Sequence, residues 1–261
     1  MNTVLSLLLL YLFNSLHKDT YYAIAEGLLD NAWQIENVSL TDFAQELGTS
    51  VATVNKFSRE LGFSGYKQLK KQLQLTRNGR IGQLNNRLGV SESAKILDAI
   101  ETLCGQIAND QEVVDRAAFL ACARTCARSM HEARTVWLSG GLFPLALSMS
   151  FMEDMTIMGV RIRPLHMNYS TDIQEVEADD YCLLLSDTGR ALSLGREQFL
   201  ALYDKDWKLD VISQNAEFAG FERLHHFFKI PYHLEDMESP LVLGEILNLI
   251  ELEYYRHYYR R

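Results

Sequence analysis

Apolar positions recur along this chain in two rhythms. Between Ser39 and Leu61 they fall three and four apart, first Leu40, Phe43, Ala44 and Leu47, then Val51, Val54, Phe57 and Leu61. That spacing lays each set along one face of a helix. Ser39 and Ser50 precede the two sets as N-caps, and Gly48 and Gly62 follow them as stops. Two short helices joined by a tight glycine turn predict a helix-turn-helix, with a further basic helix from Gly65 to Leu75. Beyond Arg134 the rhythm changes to short unbroken apolar runs: "TVWLSGG", "GVRIRPL", "DDYCLLLS" and "KLDVIS". Such runs are strands buried on both faces, and the helical stretches between them cover a parallel sheet. One of these stretches runs from Pro144 to Gly159, and another follows Thr188. Two helical patterns, at 92–108 and 112–131, precede the first strand, and "SPLVLGEILNLIELEYYRHYYRR" closes the chain as a helix. The predicted fold is an all-α helix-turn-helix domain followed by an α/β domain, a parallel sheet flanked by helices in three Rossmann- or flavodoxin-like layers.

The opening apolar run, Val4 to Phe13, is too short to span a bilayer. It has no basic stretch before it and no small-residue cleavage site after it, so it does not read as a signal peptide. A helix packed on this chain or on a second subunit is predicted instead. Residues 77–91 are rich in glycine and asparagine without sustained periodicity and predict a linker. The division is then 1–76, linker 77–91, and 92–261.

Charge sharpens this division. The chain carries a formal net charge of −9, which argues against indiscriminate nucleic-acid binding. Residues 50–80 nevertheless hold seven basic residues against one acidic, whereas residues 81–261 hold 17 against 27. A basic module is joined to an acidic one. On the second helix Ala52 is small enough to let the helix enter a major groove. Ser50, Thr53 and Asn55 can reach phosphates or base edges, and Lys56, Arg59, Lys67 and Lys70 supply charge.

The stretch "TDFAQELGTSVATVNKFSRELGFSGYKQLK" resembles the amino-terminal helix-turn-helix of RpiR-type bacterial transcriptional regulators. The resemblance rests on Ser39, Ala44, Ala52, Thr53, Phe57, Leu61, Gly62, Phe63, Gly65, Leu69 and Lys70, with Tyr66 an aromatic for an aromatic. The chain departs at Thr49, where the family has Val, and at Lys56, where it has Arg and with it a bidentate fork that Lys lacks.

The second half resembles an SIS (sugar isomerase) domain, the ligand-sensing half of those regulators. The resemblance implies two phosphate-holding turns. The first takes Ser139, Gly140 and Gly141, with Ser139 where the family has glycine and Phe143 where it has serine. The second takes Ser186, Asp187, Thr188, Gly189 and Arg190, with Ala191 in place of the usual Thr. Lost hydroxyls weaken the grip on a charged group, and Arg190 is a cation that can restore part of it.

Four cysteines, Cys104, Cys122, Cys126 and Cys182, show no disulfide framework and suit a reducing cytoplasm. Cys122 and Cys126 stand four apart on a helix, but no second pair completes a metal site, so they read as core thiols. The resemblance implies a regulator, a repressor more than an activator, of carbohydrate metabolism genes. It would act as a homodimer or homotetramer on double-stranded operator DNA, with a sugar-phosphate effector and no cofactor, metal, membrane or enzymatic activity. Two alternatives stand beside this. The SIS domain could be a degenerate dimerisation scaffold, or the chain could be a sugar-phosphate isomerase. An isomerase needs a base beside the sugar, and nothing in the sequence brings His166, Glu153, Asp154 or His225 to the turns.

Overall fold

Side-chain caps set the helix starts in the amino-terminal part of the computed structural model, which describes residues 4–15, 17–105, 114–166, 176–230 and 239–259. Asp19 Oδ1 accepts the Tyr22 N–H at 2.9 Å, and the Ser39 and Ser50 hydroxyls accept the N–H groups of Asp42 and Thr53, each at 3.1 Å. The helices are α1 (Val4–Asn14), α2 (Thr20–Asp30), α3 (Leu40–Glu46), α4 (Val51–Glu60) and α5 (Tyr66–Leu88), with a 3₁₀ turn at Ala32–Asn37. Gly48 ends α3 at φ +60°, a left-handed conformation that costs glycine nothing. Among the described residues no helix is long and apolar enough to cross a membrane.

Two expectations change here. α5 continues unbroken through 77–88, where a linker was predicted, because Leu84 and Leu88 bury themselves on the same helix as Leu69 and Leu73. Val51, predicted to face inward, is 40% exposed, since the first turn of α4 lies outside the core formed by Val54 and Phe57. The apolar run forms α1 and is covered by its own unit, where Val4, Leu5, Leu8, Leu9 and Leu12 are buried and Tyr11 meets Phe57 edge-on at 5.3 Å.

By their internal contacts the residues fall into two units, Met1–Gly89 with Glu153–Arg161, and Val90–Met152 with Ile162–Arg261. In the first, Asp154 accepts from Arg80 at 2.5 Å and from Arg87 at 2.6 Å, and the neighbouring Glu153 accepts from Ser6. In the second, α6 (Ser93–Gly105), α7 (Arg116–Glu132) and α12 (Ser239–Tyr254) pack together, and α12 widens into a π turn at Tyr255–Tyr259.

The sheet has five parallel strands in the order β2-β1-β3-β4-β5. They are β1 (Val136–Gly140), β2 (Ile162–His166), β3 (Tyr181–Leu185), β4 (Lys208–Ser213) and β5 (His226–Lys229). The predicted long helix between β1 and β2 is two, α8 (Leu142–Leu147) and α9 (Met149–Ile157), and β3 is followed by α10 (Arg190–Ser193) and α11 (Arg196–Tyr203). β5 was not foreseen. From β1 the chain crosses to β2 on one side and returns to β3 on the other, which makes the β1–β3 border a topological switch point.

Candidate functional site

The basic face of the first unit comes from α4. Ala52, Lys56 and Arg59 lie at i, i+4 and i+7 and are all exposed, while Val54, Phe57 and Ser58 are buried on the opposite side. Ser50 is exposed, and its hydroxyl lies 2.8 Å from that of the half-buried Thr53. Lys67 and Lys71 on α5 are exposed as well. Among the described residues, Lys56, Arg59, Lys67 and Lys71 have no ion-pair partner.

Two residues assigned to this face by the sequence do other work. Asn55 Oδ1 accepts the N–H of Tyr66 at 3.0 Å, and its amide donates to the Val51 carbonyl at 3.1 Å. It therefore caps the start of α5, a role invisible until α5 is placed. Lys70 donates to the carbonyls of Glu36 and Val38 at 3.1 and 2.7 Å and closes the end of the 3₁₀ turn. Arg77 is likewise spent on Glu36 and the Trp33 carbonyl, and Arg80 on Asp154. The basic charge that faces solvent is therefore smaller than the sequence count.

In the second unit a cleft of about 540 Å³ opens at the carboxyl ends of β1 and β3, within the range of small-molecule sites. Gly141 to Pro144 form one wall, and Leu185 to Thr188 with Arg190, Ala191 and Leu194 the other. Five assigned residues, Gly141, Ser186, Asp187, Thr188 and Arg190, come together here. Arg190 is the one basic residue and Asp187 the one acidic residue among the described lining residues. Ser186 Oγ accepts the Ala191 N–H at 3.1 Å, which leaves the hydroxyl hydrogen to donate into the cleft. Phe143, which stands where the resemblance has serine, lines the cleft and is 59% exposed.

Three assigned residues do not line the cleft. Ser139 is wholly buried in β1, and its hydroxyl has no hydrogen-bond partner among the described residues. Gly140 is needed for strand approach, because a Cβ there would meet the Leu185 carbonyl at 2.8 Å. Gly189 makes the turn at φ +77°, where a Cβ would fall 2.4 Å from Asn215; the sequence located this turn but not its reason.

The candidate bases of an isomerase lie elsewhere. Glu153 and Asp154 accept from Ser6 and Arg80 in the first unit, and His225 faces Asp210 at 2.9 Å. His166 ends β2, where burial holds its imidazole below the usual range. Of the two cysteines predicted as core thiols, Cys126 is buried and Cys122 is half-buried; burial pushes Cys104 up to about 11 and raises Cys122 and Cys126 as well.

The capped helix pair, its glycine turn and the solvent-facing cations of α4 define a helix-turn-helix DNA-binding domain. Its kind is given by residues 18–79, which match the family model described as "Helix-turn-helix domain, rpiR family"; the amino-terminal unit carries an rpiR-family domain. No curated protein matches the chain. Among solved structures, the Vibrio vulnificus NanR protein complexed with ManNAc-6P is similar at 15% identity, with 98% of this chain and 93% of that chain covered and a TM-score of 0.46. The sugar isomerase domain of an RpiR transcription factor from Sphaerobacter thermophilus is similar at 12% identity, over 62% of this chain and 87% of that one, with a TM-score of 0.45. The C-terminal domain of glucosamine-fructose-6-phosphate aminotransferase from Francisella tularensis is similar at 10% identity, over 83% of this chain and 54% of that one, with a TM-score of 0.48.

Proposed function

We propose that the chain is a transcriptional regulator that binds operator DNA through α4 and responds to a phosphorylated sugar held in the cleft of an SIS-type domain. The observation that carries the DNA half is the rpiR match over residues 18–79, together with the exposure of Ala52, Lys56 and Arg59 on one face of α4. Ala52 lets the helix approach base edges, while Lys56, Arg59 and Lys67 meet phosphates on either side. Two copies would present two recognition helices to a palindromic site with half-sites about one helical turn apart.

The sugar-phosphate half rests on the cleft. It lies at the switch point, where open α/β sheets bind ligands. Arg190 supplies the charge for a phosphate, while the Ser186 and Thr188 hydroxyls supply neutral donors. Asp187 opposes a dianion and suits a sugar hydroxyl, so we place the sugar ring over Asp187 and the phosphate toward Arg190. An effector regulates only as far as it prefers one DNA-binding state, typically by about 1–3 kcal/mol.

The test is a thermal-shift titration with hexose and N-acetylhexosamine phosphates, ManNAc-6P included, repeated as DNA-binding titrations. A sugar phosphate that raises the melting temperature and changes DNA affinity in wild type, but not in Arg190→Ala, supports the reading. DNA binding intact with no response to any sugar phosphate would leave the second domain a dimerisation scaffold. Turnover of a sugar phosphate would make the chain an isomerase.

A further inference from the structure

A second cluster of chemistry-bearing side chains lies at the edge of the sheet, and none of its members lines the cleft. Asp210 of β4 and His226 of β5 are register partners, so they stand side by side across the ladder. His225 immediately precedes β5 and is held there by its backbone N–H, which donates to the Leu209 carbonyl at 2.9 Å. His225 Nδ1 lies 2.9 Å from Asp210 Oδ1 and 3.3 Å from His226 Nδ1. One ligand atom from each residue, an oxygen and two imidazole nitrogens, fits within a 4.8 Å span.

Hydrogen bonding alone does not settle this arrangement. Asp210 is 1% exposed, and its Oδ2 already accepts from the Tyr181 hydroxyl at 2.8 Å and the Cys126 thiol at 3.4 Å. An ionised carboxylate only accepts, so the single hydrogen on His225 Nδ1 goes to Asp210 Oδ1. His226 Nδ1 then faces a nitrogen that has no lone pair left for it. With the His225 hydrogen moved to Nε2, a cation placed among the three atoms accepts a lone pair from each. The 3.3 Å between the two nitrogens matches the about 3.3–3.4 Å of two nitrogens bound tetrahedrally at about 2.0–2.1 Å, while the 2.9 Å from His225 Nδ1 to Asp210 Oδ1 would lengthen as the hydrogen bond gives way to the metal.

We propose that Asp210, His225 and His226 form a binding site for a divalent first-row transition-metal cation, with Zn²⁺ the best match to two imidazole nitrogens and one carboxylate oxygen. Tyr181 and Cys126 hold the carboxylate from behind, as outer partners of a metal ligand do. Both histidines are only half-buried, so the site opens to solvent. The cation would fasten the four-residue edge strand β5 to β4.

The experiment uses the full chain, freed of metal with a chelator and titrated with Zn²⁺ by calorimetry and with Co²⁺ by visible absorption. One equivalent of Zn²⁺ is expected to bind, with Co²⁺ giving d–d bands and Zn²⁺ slowing amide exchange in 226–229. His226→Ala and His225→Ala are each expected to lower Zn²⁺ affinity at least tenfold. His226→Ala removes no hydrogen bond to Asp210, so it tests the site without disturbing the buried carboxylate. Absence of saturable Zn²⁺ binding, or identical binding by wild type and both variants, would overturn the proposal. Neither result depends on DNA or sugar-phosphate binding.

Discussion

At the scale of single residues, polar side chains divide into those turned outward for a partner and those spent inside the fold. Lys56 and Arg59 belong to the first group and Asn55 to the second, although all three sit within five positions of one another on α4. Lys56→Ala with Arg59→Ala is expected to weaken DNA binding and lower the slope of log affinity against log salt by about 2, since each phosphate contact contributes about 0.9. Salt titrations of wild type and the double variant measure it, and an unchanged slope would mean that neither side chain meets a phosphate. Asn55→Ala is expected to cost about 1–2 kcal/mol of stability through the lost cap of α5, seen in denaturant unfolding, with the salt slope preserved. Helix spacing alone puts all three on the outward side of α4; it does not show that α5 begins beside Asn55. Ser186, Thr188 and Arg190 line the cleft, and it was the SIS resemblance that marked them, since an apolar strand running into a small polar turn is also an ordinary strand-to-helix connection. Ser139 was not, because a register-aligned central strand buries a residue that the motif alone leaves at its end.

At the scale of elements, the largest difference from expectation is the second half of α5. Gly79, Gly82 and the asparagines lower helix propensity by up to about 1 kcal/mol for each glycine, and that masked the signal. Leu84 and Leu88 carry it four apart, and Arg77, Arg80 and Arg87 anchor the segment to Glu36 and Asp154. A Cβ at Gly79 would meet nothing within 4 Å. Gly79→Ala is therefore expected to raise the melting temperature by about 2–4 °C, as a gain of about 1 kcal/mol does in a chain of this size. Gly79→Pro is expected to lower stability by about 3 kcal/mol. Thermal melts of the two variants check this, and an irregular linker would tolerate both.

β5 was missed because its two phenylalanines make too short a run to mark a strand; only pairing with β4 defines it. The packing of α6, α7 and α12 is pH-dependent through Glu253. Burial pushes its carboxyl up, but hydrogen bonds from Arg124 at 2.8 Å and Ser93 at 2.7 Å outweigh that and hold it below the ordinary range. A lowered carboxylate stabilises the fold above its unfolded pKa, and the contribution fades as pH falls through the folded value. Arg124→Ala is expected to lower the melting temperature at neutral pH and to narrow its drop on acidification, as melts between neutral pH and pH 3 would show.

At the scale of the whole molecule, the sequence divided the chain by charge, and the structure gives that division a chemical meaning. A basic helix face belongs to one unit, and a cleft lined by Arg190 to the other. The fold class, the helix-turn-helix and the strand–turn pattern around the cleft were readable from apolar spacing and glycine placement alone. The reach of individual side chains was not, because it depends on which element each one meets. We propose that α4 reads DNA and that the cleft governs it. The most direct test is selection of duplexes from a random library by the full chain, followed by anisotropy titration of the selected duplex with and without each sugar phosphate. Enrichment of a palindromic site that Lys56→Ala/Arg59→Ala fails to select is expected, with a sugar phosphate that shifts affinity about fivefold or more in wild type but not in Arg190→Ala. A library from which wild type and the double variant recover the same unselected sequences would contradict the proposal.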